Sequence, residues 1–207
     1  MRSLIVGCSS THGSDTVSPV YDPANTQYSW ANILSQLLGY EPDNRAIPGN
    51  SNQAIFHLAA QELHHYDLLV VGWTSLARES WQTDNRQYFF NPNWACCVQD
   101  ITMPDVWVRE RAGVTAVTDQ ECLLEMLHEH VEFLIRHKFD QAELEQQAQN
   151  YRRCLQALCQ VQGVRYIDAN IVGTVFPDAP SINCSVHPTR DEHRAFAHNL
   201  WLRETRT

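Results

Sequence analysis

Two short apolar runs, each closed by a glycine, constrain this chain more than anything else in it: Ser3-Leu4-Ile5-Val6-Gly7 and Asp67-Leu68-Leu69-Val70-Val71-Gly72. Both are too short for a buried helix and have no polar face, so they read as strands covered on both sides. The residues between them are spaced as helices. Tyr28, Trp30, Ile33, Leu34, Leu37 and Leu38 share one face and end at Gly39. Ile55, Leu58, Ala59 and Leu63 form another, with Ser51 or Asn52 as its cap. Asn44–Ile47 reads as a short strand that stops at Pro48-Gly49. Strand alternating with helix predicts an α/β three-layer sandwich with a mostly parallel central sheet.

The pattern lapses from Trp73 to about Asp119. Trp73, Trp81, Tyr88, Phe89, Phe90, Trp94 and Trp107 fall here, including four of the six tryptophans. A stretch this long without a period is uncommon unless it is functional. It reads as an aromatic-rich insertion, at about 73–119, in a single domain of 1–207. Its rings either roof the carboxyl end of the sheet or form a satellite core. Helical patterning returns over Gln120–His137 and Gln141–Val161. Val164–Asp168 is a third strand, and an amphipathic helix covers about Asp191–Arg203.

A net charge of −9 over 207 residues argues against nucleic-acid binding and against docking on anionic lipid, since both need a basic face. No apolar stretch approaches the ~20 residues that span a bilayer. Ile5-Val6-Gly7-Cys8 is spelled like a lipoprotein cleavage site, but the region before it is too short for a signal peptide. Seven cysteines, with Cys96 and Cys97 adjacent, fit no disulfide framework or zinc pattern. The expectation is a cytoplasmic protein with reduced thiols. His64-His65, His128 with His130, and His193 with His198 lack the neighbouring ligands of a metal site, and no cofactor fingerprint is present.

Chemistry concentrates where the apolar runs end. Ser9 stands in Gly7-Cys8-Ser9-Ser10-Thr11-His12-Gly13, at the carboxyl end of the first strand, where open α/β sheets place their sites. A serine nucleophile needs a base, a partner that orients the base, and donors for an oxyanion. Pro48-Gly49-Asn50-Ser51-Asn52 is a glycine turn at a helix N-terminus, with free amides to offer. Gly72-Trp73-Thr74-Ser75 ends the second strand. His187 precedes Pro188, whose fixed φ stiffens its loop.

In this order and spelling the segments resemble the SGNH (GDSL-type) hydrolases, and phage-encoded members in particular. The family's Gly-Asp-Ser-x-Thr-x-Gly corresponds to Gly7–Gly13, its glycine block to Pro48–Asn52, its Gly-x-Asn-Asp to Gly72–Ser75, and its Asp-x-x-His to Cys184–His187. The resemblance implies a flavodoxin-like SGNH fold, Ser9 as nucleophile and His187 as general base. The backbone amides of Ser9 and Gly49 would be oxyanion donors. Thr74 stands where the family has its donor asparagine, and Cys184 where it has its triad aspartate. Asn183 and Asp178 are the nearby alternatives for orienting the histidine, and a backbone carbonyl is another. Two functions follow from the resemblance. One is a serine esterase acting on a small-molecule or carbohydrate ester, such as an O-acetyl ester, without a cofactor. The other is a decayed binding or structural module, such as a phage-particle component in host cytoplasm or virion. A homo-oligomer or larger assembly fits either, and so does a small-ligand binder walled by the insertion.

Overall fold

The computed structural model describes residues 1–18, 22–76, 78–82, 86–90, 107–110, 113–116, 140–171, 176–182 and 187–206. Its centre is a four-stranded parallel sheet in the order β2-β1-β3-β8, built from β1 (Arg2–Val6), β2 (Glu41–Asn44), β3 (Leu68–Trp73) and β8 (Arg165–Asn170). Pleating sends alternate side chains to opposite faces. Leu4, Val6, Leu69, Val71 and Trp73 pack against Ile55 and Ala59 of α3 (Asn52–Glu62) and Leu155 and Cys159 of α4 (Gln141–Gln162). Ile5, Leu68, Val70, Ile167 and Ala169 pack against Trp30 and Leu34 of α2 (Trp30–Leu37) and Ala197 and Leu200 of α5 (Arg190–Thr205). This is the expected three-layer sandwich. The two uninterrupted apolar runs are its central strands because both of their faces are covered.

The chain steps from β1 outward to β2, then returns across β1 to β3. The strand order therefore reverses between β1 and β3, and the crevice above their carboxyl ends is the switch point where such sheets bind ligands. Ser9 follows β1 and Thr74 follows β3, so both border it.

Two expectations need correcting. The edge strand is Glu41–Asn44, with Ser3 opposite Pro42, rather than Asn44–Ile47. Pro42 lacks an N–H and suits an edge. The backbone of Arg45 and Ile47 still donates to the carbonyls of Ile5 and Gly7, at 2.9 and 3.0 Å, so the expected segment runs on beside β1. The central stretch, read without regular structure, forms an antiparallel meander of β4 (Glu79–Gln82), β5 (Arg86–Phe90), β6 (Trp107–Glu110) and β7 (Gly113–Ala116), paired in chain order. The helix expected over Gln120–His137 lies outside the described residues. Among the described residues no helix is long and apolar enough to cross a membrane.

Candidate functional site

Ser9 opens a single helical turn, α1 (Ser9–His12), directly after β1, and is only 7% exposed. The first amides of a helix have no helical acceptor. Cys8, the residue in the capping position, makes no side-chain hydrogen bond to them. The turn sits hard on the sheet. A Cβ at Gly7 would meet Thr11 Oγ1 at 2.4 Å, and one at Gly72 would meet it at 1.9 Å. Both glycines that end the apolar runs are thus needed so that Thr11 can lie across β1 and β3.

Gly13 closes the turn with φ 88, and the amides of Gly13 and Ser14 both return to the Ser9 carbonyl, at 2.9 and 3.0 Å. Asp15 follows with a left-handed φ of 63. Its Oδ2 lies 2.5 Å from His187 Nδ1. The histidine loop is fixed to this segment at a second point, where Arg190 Nε donates to the Thr16 carbonyl at 2.8 Å. It is also fixed from behind. The Thr189 hydroxyl accepts from the Glu192 amide, and Glu192 Oε2 accepts from the Thr189 amide at 2.7 Å, a reciprocal cap on α5. These amide and hydroxyl bonds from Thr189 hold the Glu192 carboxyl below its usual range.

The acid beside the histidine is therefore Asp15, which the sequence reading did not single out. Asp178, one of the expected orienting residues, is engaged elsewhere: Arg152 Nη1 donates to its Oδ1 at 2.6 Å. The reason is electrostatic. Arg152 is buried and also donates through Nε to Asp168 Oδ2, at 2.6 Å, so its charge is shared between two carboxylates. Asp178 sits on a turn that the Asn170 carboxamide organises through Phe176 and Ala179. Cys184 and Asn183 lie outside the described residues.

The glycine loop and the end of β3 are joined by one side chain. Asn52 Oδ1 accepts from the Thr74 amide at 2.9 Å, and Asn52 Nδ2 donates to the Thr74 carbonyl at 3.0 Å. Gly49 has φ 82, so its turn is open to glycine and strained for a side chain. Ser51 Oγ caps α3 by accepting from Ala54 N. Thr74 is fully buried, and its hydroxyl has no hydrogen-bond partner. Asn50, also fully buried, has both carboxamide atoms without one. Trp73 is a core residue, set edge-on to Phe176 and donating to Asp168 at 3.1 Å.

Two further histidines are buried nearby. His193 Nδ1 accepts the Trp30 amide at 3.1 Å, and burial pushes its pKa down to about 4. Burial also lowers the pKa of His12, against a pull from Asp22. Among the described residues no three histidine, cysteine or acidic side chains gather as a metal cluster. The His64 and His65 rings face each other at 3.7 Å. His128 and His130 lie outside the described residues.

No family model matches the sequence, and no curated protein matches it. Solved structures share its fold. Over 100% of its length the chain is similar to a carbohydrate esterase, with a TM-score of 0.55, 11% identity and 69% of that protein covered. That esterase is described as having an active site with divergent catalytic and non-catalytic binding functions. Over 99% of its length it is similar to an acetyl xylan esterase from the rumen bacterium Butyrivibrio proteoclasticus, with a TM-score of 0.51, 10% identity and 64% of that protein covered. At such identities the likeness is one of fold, an α/β architecture with a parallel central sheet.

Proposed function

We propose that this protein is an SGNH-type serine esterase that hydrolyses a carbohydrate O-acetyl or other small acyl ester. The observation that carries this reading is the contact between His187 Nδ1 and Asp15 Oδ2, 172 residues apart in sequence. A carboxylate on one ring nitrogen fixes the tautomer and leaves Nε2 to accept a proton. Ser9 Oγ attacks the ester carbonyl and gives its proton to His187 Nε2. Asp15 stabilises the imidazolium that forms. Charge on the carbonyl oxygen is met by the amides of Ser9 and Gly49. The tetrahedral intermediate collapses, the C–O bond to the alcohol breaks, and His187 returns the proton to the departing oxygen. Water, deprotonated by His187, then cleaves the acyl–Ser9 bond in the same way and releases the acid.

The buried hydroxyl of Thr74 and the missing asparagine favour a slower enzyme, since one oxyanion donor is typically worth ~3 kcal/mol. A fluorophosphonate probe tests the reading. Wild type is expected to be labelled and Ser9→Ala is not. Absence of labelling at every pH from 6 to 9 sinks the esterase and leaves the binding-module alternative.

A further inference from the structure

Four segments meet at one carboxamide. Asn44 is the last residue of β2, opposite Ile5 of β1, and is half-buried. Its Nδ2 donates to the Thr11 carbonyl of α1 at 3.1 Å. The same Nδ2 reaches Asn32 Oδ1 at 2.7 Å and Ser29 Oγ at 3.2 Å, in the first turn of α2 and at its cap. Its Oδ1 accepts from the Ala46 amide at 3.0 Å. A backbone carbonyl only accepts and a backbone amide only donates, so these bonds fix which end of the carboxamide is which. Aspartate has the same shape and would serve Ala46, but it would turn an acceptor toward three oxygens. Leucine would serve neither side.

Both arms of Asn44 lead to an oxyanion donor. Ser9 is the first residue of α1, two before Thr11. A lone helical turn is marginal by itself, so α1 depends on contacts from outside it. On the other arm, Ala46 begins the run to Gly49. The Ile47 amide donates to the Gly7 carbonyl at 3.0 Å, and the Asn50 amide to the Ile47 carbonyl at 3.1 Å. Pro48 and Gly49, the latter with φ 82, fill the two central positions of that turn, as in a type II turn. Ser9 and Gly49 carry the amides that meet the carbonyl charge in the proposed mechanism. An oxyanion hole works because its donors are fixed before the charge develops. Asn44 is itself anchored, since both Ser29 and Asn32 are buried.

We propose that Asn44 is the positioning residue of the oxyanion hole: it sets the Ser9 turn against the Gly49 loop and touches no substrate. The inference rests on the esterase reading of Ser9. A junction that only stabilised the fold would lower activity no more than any equal loss of stability, whereas a positioning residue lowers the rate of the folded enzyme. Asn44→Ala and Asn44→Asp are compared with Leu155→Ala, a core truncation on α4, in hydrolysis of 4-nitrophenyl acetate at a temperature where the variants are folded. Asn44→Asp keeps the volume and the Ala46 bond, and carries the same readings if Asn44→Ala does not fold. Both Asn44 variants are expected to lose roughly 10–100-fold in kcat with KM little changed. Trifluoroacetophenone, which adds to the serine and places an oxyanion in the hole, is expected to bind more weakly to them by a similar factor. The pH midpoint of kcat/KM is expected to stay at its wild-type value, because the contact between His187 and Asp15 is untouched. Leu155→Ala is expected to keep kcat and inhibitor affinity despite a lowered Tm. In isotope-labelled protein, the NMR amide resonances of Ser9 and Gly49 are both expected to move in the Asn44 variants and to stay in Leu155→Ala. Unchanged kcat, a kcat loss that Leu155→Ala matches, a shifted pH midpoint, or resonances of Ser9 and Gly49 that stay in place each overturns the proposal. Ser9→Ala reports separately on the esterase reading. If it hydrolyses the ester as fast as wild type, that reading fails and takes the oxyanion role of Asn44 with it. An inactive Ser9→Ala beside unimpaired Asn44 variants removes Asn44 alone.

Discussion

Asp15 holds a backbone conformation that most residues avoid, yet aspartate enters the left-handed region at modest cost. Asparagine enters it as readily, which makes Asp15→Asn a clean test of charge at constant backbone. The neutral amide would remove the counter-charge and present its NH2 group to Nδ1, favouring the wrong tautomer. On the proposed mechanism, kcat is expected to fall roughly 10²–10⁴-fold, with little change in KM or Tm. An unchanged kcat for 4-nitrophenyl acetate would remove Asp15 from the mechanism. Nothing in Gly13-Ser14-Asp15-Thr16 announces such a role. Motif spacing directs attention to the residues just before His187, where Cys184 stands in the acid position. The contact instead spans the chain and arises only once α5 has docked. Ser9, Gly49, Thr74 and His187 drew the reading because each stands at an element boundary that the sequence marks with glycine or proline.

The short helix α1 works as a wedge. Thr11 lies across Gly7 and Gly72, so the end of β1 and the end of β3 are set at a distance that only glycine allows. Gly72→Ala would drive a methyl group into the Thr11 hydroxyl. The expected result is a loss of roughly 1–3 kcal/mol of stability, measured by urea unfolding. A shift of α1, seen as altered labelling of Ser9 by the fluorophosphonate, should accompany it. Equal stability of Gly72→Ala and wild type would show that Thr11 can turn aside. Elements of this kind differ in how plainly the sequence shows them. β1 and β3 stand out because burial on both faces leaves unbroken apolar runs. β2 is polar and sits at an edge, so Glu41-Pro42-Asp43-Asn44 gives no alternation, and its pairing with β1 decides where it lies. The meander of β4 to β7 escaped for a related reason. Its short strands, such as Arg86-Gln87-Tyr88-Phe89-Phe90, carry clustered aromatics without a period of two. Their order comes from pairing with one another.

The two helices of one layer, α2 and α5, are tied together by a buried histidine. His193 on α5 accepts the first amide of α2, so one imidazole closes a helix end and a helix–helix contact at once. Trp30 and Phe196 add an edge-to-face contact across the same seam, with centroids 5.4 Å apart. Burial holds the folded pKa of His193 at about 4, against 6.5 in the unfolded chain. Between these values the unfolded state takes up a proton that the folded state refuses, so stability falls as pH falls, by up to ~3 kcal/mol. His193→Asn keeps an acceptor for the Trp30 amide and has nothing to titrate. Its unfolding midpoint in urea is expected to change less than wild type's from pH 6.5 to 4, with His12 leaving a residual slope. Identical slopes would exclude His193 as the source.

The placement of Asp15 also has a consequence in time. Ser9 and Asp15 emerge together in synthesis, on one short segment that the β1 end and Gly13 shape locally. His187 emerges about 170 residues later, and its loop is fastened only when α5 seats on α2. A nascent chain therefore carries its serine and its acid, but no base, while the residues between them and His187 are made. On the proposed mechanism the serine stays unarmed until α5 closes.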